Sequence, residues 1–186
     1  MPEIEMPMLA PRSGLERRIM QDACWREGGA WGAPRSGHPE GSVVRHIMDV
    51  LHNIDLIEEP GRVRDQLRLI ALVHDALKYQ VDRSRPRGPE NDHAVLARKF
   101  ADQYTADPQV LLVIETHDDA YRAWKLLQCG EPEAAVASAQ ALIDRLTDHQ
   151  ALQLYRLFYQ ADNDVSGKTR EHRDWFSALC QRPSMS

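Results

Sequence analysis

Histidine and aspartate side chains recur on or at the ends of apolar segments of this chain. The clearest case is LRLIALVHDALKY, residues 67–79, where His74 and Asp75 stand side by side within an aliphatic run. A carboxylate at the edge of a buried face is costly unless it is ion-paired or bound to a metal ion. Lys78, three residues later, is one partner that Asp75 could have, and a metal ion is the other.

Residues of the same two types stand on or beside four other apolar segments. They are His46, His93, His117 with Asp118 after it, and Asp162. Imidazole and carboxylate together are the ligands that a borderline divalent cation prefers. Adjacent helical residues project about 100° apart, so His74 and Asp75 can both reach one ion at the helix edge. The remaining ligands must then come from other helices, as in metal sites inside helical bundles.

The elements that must position these residues are helices. Apolar residues recur at helical spacing through much of the chain, and no segment shows a convincing strand-like alternation. The predicted helices cover residues 14–25, 43–57, 62–79, 93–104, 109–117, 119–128, 133–146, 148–162 and 170–180. Ser13, Ser42 and either Asn91 or Asp92 are suited to cap helix N-termini. The sequence therefore predicts an all-α, single-domain bundle with short connections.

Composition and charge argue against two classes of function, nucleic-acid binding and membrane association. The 186 residues are 42% hydrophobic and 27% charged, as expected for one soluble globular domain. The net charge of −5 argues against stable nucleic-acid binding, which requires a basic face. No apolar run has the length of a membrane span, and the N-terminus lacks the basic residues of a signal peptide. No membrane association is expected.

The cysteines indicate a reducing compartment. Cys24, Cys129 and Cys180 are odd in number and far apart in sequence, so they indicate neither a disulfide framework nor a cysteine-based metal site. The expected location is therefore cytoplasmic. The sequence leaves open whether the chain forms a homo-oligomer.

The ordered histidines and aspartates resemble the HD-domain metal-dependent phosphohydrolases, whose pattern is H…HD…(H…H)…D. His46, the His74-Asp75 pair and Asp162 match the core set, and the similarity covers roughly residues 38–165. His93 and His117 match the extra pair of members that bind two metals. The sequence HDALK also matches the HDxxK form of that family. The resemblance implies an HD-type helical domain over residues 38–186, after an N-terminal lead-in with a short helix over residues 1–37.

The resemblance also implies a metal site and a reaction. The first divalent ion would be held by His46, His74, Asp75 and Asp162. Asp75 would bridge to a second ion at His93 and His117, and the metal would be Fe, Mn, Co, Ni, Zn or Mg. A metal-bound hydroxide would attack phosphorus in a small phosphorylated substrate, with a nucleotide as the leading expectation. Asp75 would be catalytic as the bridging carboxylate, and Asp118, also expected to be catalytic, would support the site or replace a water ligand.

Cationic side chains would meet the substrate. Lys78 would stabilise charge on the phosphoryl oxygens and so have both a catalytic and a substrate-binding role. Arg83, Arg85 and Arg87, in the loop of residues 80–92, would clamp a phosphate, because the guanidinium fork matches its geometry.

Several alternatives stay open at this point. The last aspartate of the pattern is Asp162 or Asp164, and His93 and His117 are either ligands of a second metal or contacts to substrate. Relatives with a similar residue set hold two irons and oxidise small organic substrates with O₂. A further alternative is a non-catalytic helical module that binds a nucleotide.

Overall fold

The computed structural model describes residues 9–34, 41–59, 61–165 and 169–181, and helices account for all of their regular secondary structure. In chain order the helices are α1 Gly14–Gln21, α2 Ala23–Ala30, α3 Val43–Asp55, α4 Gly61–Val73, a 3₁₀ helix Lys78–Gln80, α5 His93–Ala101, α6 Pro108–Thr116, α7 Asp119–Gln128, α8 Pro132–Asp148, α9 Leu152–Asn163 and α10 Glu171–Cys180. No strand occurs in these ranges, so the predicted all-α class is confirmed.

Helix α4 lies at the centre of the bundle. It packs against α3, α5, α6 and α9, and side chains from these helices form one continuous hydrophobic core. Ile47, Ile70, Ile114 and Phe158 are fully buried representatives from α3, α4, α6 and α9. The histidines and aspartates singled out above lie on, or directly next to, helices that surround this core.

The first predicted helix is two helices in the structure. Asp22 separates α1 from α2 in an extended conformation, and its carboxylate accepts a hydrogen bond of 2.8 Å from the backbone N–H of Cys24. An aspartate side chain competes in this way with continuation of a helix and begins a new one as its N-cap.

Helices α1 and α2 contribute to the main core. Ile19 and Trp25 are fully buried, and the Trp25 indole donates a hydrogen bond of 2.6 Å to the carbonyl oxygen of Leu72 in α4. Glu16 and Arg68 form a buried ion pair between α1 and α4 at 2.7 Å. The predicted boundary at residue 37 lies outside the described residues and stays a prediction.

The central helix ends earlier than its sequence predicts. α4 was expected to reach residue 79, but it ends at Val73. The backbone then tightens, because the N–H groups of Ala76 and Lys78 bond three residues back rather than four. His74 and Asp75 therefore stand in a turn, at the point where the chain leaves the helix.

Glycine allows α2 to cross directly over this turn. A Cβ atom on Gly28 would lie 1.6 Å from the carbonyl oxygen of Ala76, a separation that no side chain can occupy. The close approach fixes the N-terminal helices against the turn that carries His74 and Asp75. Within the described ranges, no helix is long and apolar enough to cross a membrane.

Candidate metal centre

Six buried imidazole and carboxylate groups converge from five parts of the bundle. They are His46 on α3, His74 and Asp75 in the turn after α4, His93 at the start of α5, His117 at the end of α6 and Asp162 near the end of α9. Each has 9% or less of its surface exposed. The sequence predicted these six residues as ligands, and the structure brings them together.

The first group forms around His46. Its Nε2 lies 2.8 Å from Asp162 Oδ1 and 3.4 Å from the Nε2 of His74. Asp75 Oδ2 lies 3.6 Å from the Nε2 of His74 and 3.9 Å from that of His46. Three nitrogen and oxygen donors of His46, His74 and Asp75 lie within 4.8 Å of one another, a spacing that could hold a metal ion.

The second group forms on the other side of the same aspartate. The Nε2 atoms of His93 and His117 are 3.2 Å apart, and each lies 3.5 Å from Asp75 Oδ1. These three donors also lie within 4.8 Å of one another. Asp75 therefore presents one carboxylate oxygen to each group.

The hydrogen bonding of Asp75 fits a cation. Its Oδ1 is buried and accepts no hydrogen bond within the described part of the chain. A buried carboxylate oxygen without a donor is costly, and a metal ion would remove that cost. The donor set of imidazole and carboxylate is also the set that Fe, Mn, Co, Ni and Zn accept.

Backbone carbonyls orient two of the imidazoles. Nδ1 of His74 lies 2.9 Å from the carbonyl oxygen of Ala71, and Nδ1 of His117 lies 2.8 Å from that of Ile114. An N–H donor at Nδ1 leaves Nε2 as the ligand atom of a neutral ring, which is how metal-binding histidines are usually fixed. In both cases Nε2 points into the cluster.

Comparison with known families agrees with this geometry. A model of the HD domain matches residues 43–164, which is more than half of the chain. The chain belongs to the HD domain family. The matched segment runs from the start of α3 to just beyond α9 and contains all six clustered residues of the HD-family chain. Searches of curated proteins and of solved structures each returned no significant match.

Charges inside the HD centre shift the pKa values of its groups. Burial raises the pKa of Asp75, but the charges of Lys78 and His74 outweigh it, so this pKa lies well below its ordinary value. Burial and the charge of His117 lower the pKa of His93 to about 3. Burial also lowers the pKa of His117, but Asp118 and Asp75 outweigh it and raise that pKa to about 9.

Lys78 and Asp118 lie at the edge of the centre. The Lys78 ammonium contacts Asp75 Oδ2 at 2.5 Å, and 24% of its side chain is exposed. Burial lowers the pKa of Lys78, but the charges of Asp75 and Asp118 raise it above its ordinary value. The Asp118 carboxylate lies 3.5 Å from His93 Nε2 and 3.7 Å from His117 Nε2, with 31% of its side chain exposed.

The three loop arginines lie outside the cluster. Arg83, Arg85 and Arg87 are exposed, and the Arg83 guanidinium lies over the Trp31 ring, 5.7 Å from its centroid. Arg87 lies 3.5 Å from the Asp92 carboxylate, beside His93. Of the three arginines, Arg87 is the one whose described contacts include a residue next to the centre, Asp92. The predicted phosphate clamp stays a prediction.

Of the two candidate final aspartates, the structure brings Asp162 into the cluster. The Asp164 carboxylate instead lies 3.3 Å from Arg170 and 3.4 Å from Arg173, with 44% of its side chain exposed. The alanine before Asp162 is buried and the helix continues to Asn163, so Asp162 still faces the core.

Two residues near the HD centre were not anticipated from the sequence. Arg122 lies 3.0 Å from Asp92 and from Asp119, and 3.7 Å from Asp118. The spacing of Asp118 and Arg122 by four residues on one helix was the signal that could have indicated this pairing. Tyr155 bridges the turn after His117: its hydroxyl donates to the His117 carbonyl and accepts from the Ala120 N–H, both at 3.2 Å.

Proposed function

We propose that this HD-domain chain is a metal-dependent phosphohydrolase that acts on a nucleotide or another small phosphoester. One observation carries the proposal: Asp75 presents one oxygen to each of two histidine groups. A carboxylate with a purely structural role would place both oxygens on hydrogen-bond donors, yet Oδ1 accepts none from the described residues. A carboxylate placed in this way would let Asp75 hold a cation in either group.

The residues fit one or two divalent cations. His46, His74, Asp75 and Asp162 would hold the first, and Asp75 with His93 and His117 would hold the second. Such cations supply Lewis-acid charge and lower the pKa of a bound water to about 7 in favourable cases.

Asp118 is suited to accept a hydrogen bond from water or substrate at the edge of the centre. Burial raises its pKa, but the charges of His117 and His93 outweigh burial and lower it, so the carboxylate is ionised at neutral pH. It is also more exposed than the six clustered groups, so an incoming water or substrate can reach it. Arg122 lies 3.0 Å from Asp92 and 3.7 Å from Asp118, so it is suited to position both carboxylates.

Lys78 is suited to bind a phosphoryl oxygen. It is the cation nearest to Asp75, and about a quarter of its side chain reaches solvent, so its ammonium can contact both the centre and a ligand. A fixed positive charge beside the reacting group stabilises the charge that develops in phosphoryl transfer. Arg83, Arg85 and Arg87 belong to the loop that leads into His93 and would extend this positive surface toward the rest of the substrate.

Reconstitution tests the proposal. Chelator-treated protein is reloaded separately with Mn, Co, Ni, Fe, Zn or Mg and assayed on nucleotides, phosphodiesters and sugar phosphates. Hydrolysis of a P–O bond that requires metal and is lost in Asp75→Asn supports the proposal, with the products identified by chromatography. His46→Gln on α3 should also lose activity, whereas His52→Gln, an exposed histidine on the same helix, should keep it. Metal-loaded protein that hydrolyses no substrate under any metal contradicts the proposal.

A second candidate function uses the same metal centre for a different reaction. The Nε2 atoms of His93 and His117 converge beside Asp75 Oδ1, so they offer a second iron as many nitrogen donors as the first group offers. The alternative is oxidation of a small organic substrate with O₂ at two irons. Iron content and an EPR signal from a mixed-valence pair decide between the two, because a colourless manganese or magnesium protein excludes the oxygenase. Inert protein that still binds nucleotide supports a non-catalytic module instead.

A further inference from the structure

A polar cavity lies between α9 and α10, on residues that take no part in the metal centre. Its volume is about 350 Å³, and we name it the α9–α10 cavity. Its polar lining is Gln153, Arg156 and Gln160 from α9 with Arg173 and Ser177 from α10. None of the six clustered residues lines it.

The lining has a surplus of positive charge. It contains two arginines and no aspartate or glutamate, in a chain whose net charge is −5. Arg156 is half-buried and makes no ion pair with any residue in the described ranges. Buried Arg68 and half-buried Arg122, in contrast, each lie against carboxylates at 3.0 Å or less. A half-buried guanidinium is stabilised by an anion, and none of the described residues supplies one to Arg156, so an anionic ligand would find a partner there.

Arg173 is partly paired. Its Nη1 lies 3.4 Å from Asp164 and its Nε lies 3.9 Å from Asp174, while 16% of its side chain is exposed. A guanidinium carries five N–H groups, and those of Arg173 that meet no described residue can donate to a ligand. The two arginines come from different helices, and an anion between them would join α9 to α10.

The remaining lining residues define the kind of ligand. Side-chain amides of Gln153 and Gln160 and the hydroxyl of Ser177 are hydrogen-bond donors without charge. Phe176 adds an apolar wall. The volume lies near the lower end of the range of about 300–1,000 Å³ for small-molecule sites, so a small ligand fits. Two guanidiniums with several neutral donors match a phosphoryl dianion, whose three terminal oxygens accept several hydrogen bonds.

We propose that the α9–α10 cavity binds a small phosphorylated molecule, with its phosphoryl group against Arg156 and Arg173 and its apolar part against Phe176. Tyr159, which also lines the cavity, hydrogen-bonds at 2.7 Å to His172 on α10, and Asp162 lies three residues further along α9. A ligand here therefore stabilises the packing of the helix that carries Asp162. Binding itself requires no metal, so it is independent of the function proposed above.

The test uses phenyl phosphate as the probe and calorimetric titration of the metal-free chain of 186 residues. We expect one site per chain. Arg156→Gln should weaken binding by about tenfold or more, because it removes a charge-assisted contact. Ser177→Asp should abolish binding without removing either arginine, since it places a negative charge in the cavity. Arg62→Gln, an exposed arginine on α4, is the matched control and should bind as the wild type does.

Three outcomes would overturn the proposal. The first is unchanged binding in both Arg156→Gln and Ser177→Asp at equal thermal stability. The second is an equal loss in Arg62→Gln, which would indicate general attraction to surface charge. The third is benzoate binding as tightly as phenyl phosphate, which would remove the preference for a phosphoryl group. None of these outcomes bears on the metal centre, because the protein in the titration is free of metal.

Discussion

Neighbouring glycines on α2 offer a matched pair of substitutions with opposite expected effects. A Cβ atom on Gly28 would lie 1.6 Å from the carbonyl oxygen of Ala76, whereas the nearest atom to a Cβ on Gly29 would be Val44 Cβ at 3.6 Å, an ordinary contact. Both glycines are buried in the same helix, so alanine brings a similar helix propensity at either position. The difference between the two variants therefore measures the close approach of α2 to the turn after α4.

The magnitudes follow from these two distances. At Gly28 the backbone must move by more than about 1 Å, and overpacking against a backbone carbonyl costs about 2–3 kcal/mol, the upper part of the usual range of about 1–3 kcal/mol. The helix-propensity gain of about 1 kcal/mol offsets part of that cost, which leaves a net loss of about 1–2 kcal/mol. At Gly29 alanine should stabilise the fold by about 0.5–1 kcal/mol. For a chain of this size 1 kcal/mol corresponds to about 2–4 °C in Tm.

Scanning calorimetry of the metal-free proteins measures the effect. Gly28→Ala should lower Tm by about 2–8 °C, and Gly29→Ala should raise it by about 1–4 °C. Because the displaced turn carries His74 and Asp75, Gly28→Ala should also weaken metal binding, and Gly29→Ala should not. Equal Tm values for Gly28→Ala and the wild type would refute the packing of α2 on this turn.

Three further predictions concern the centre and its support. His46→Gln should lower the metal content measured by elemental analysis, and His52→Gln should leave it unchanged; equal losses would contradict the assignment. Tyr155→Phe should cost about 1 kcal/mol in chemical denaturation, because its hydroxyl bridges two backbone groups. Burial raises the pKa of Glu16, but the ion pair with Arg68 outweighs burial and lowers that pKa below its ordinary value. The pair therefore stabilises the fold at pH values above the unfolded pKa of about 4.3, and this stabilisation is lost as the pH falls below it. Glu16→Gln should flatten the acid limb of stability between about pH 5 and 3, and an unchanged limb would contradict the pairing.

The helices and the clustered residues could be predicted because both depend on local signals. Helical spacing of apolar residues identified the elements, and residue type with chain order identified His46, His74, Asp75 and Asp162. Burial in the structure explains why these signals were informative: polar groups on an apolar face are rare unless a partner meets them. The resemblance to the HD family then indicated that these residues form one site.

Features set by one side chain or by a contact between distant residues could not be predicted. The break at Asp22 reflects a single side chain that competes with the helix, and the crossing of α2 over the turn after α4 depends on the contact of Gly28 with Ala76. Neither contact leaves a signal in the spacing of apolar residues along the sequence. The positions of Arg83 and Arg87 depend on loop geometry, and the sequence gives no measure of it.

The central claim is that Asp75 joins two histidine groups around metal ions, and metal content tests it most directly. Elemental analysis after exhaustive dialysis should find one to two equivalents of divalent metal per wild-type chain and none in Asp75→Asn, with both proteins folded by circular dichroism. Retention of the wild-type metal content by Asp75→Asn would contradict the claim.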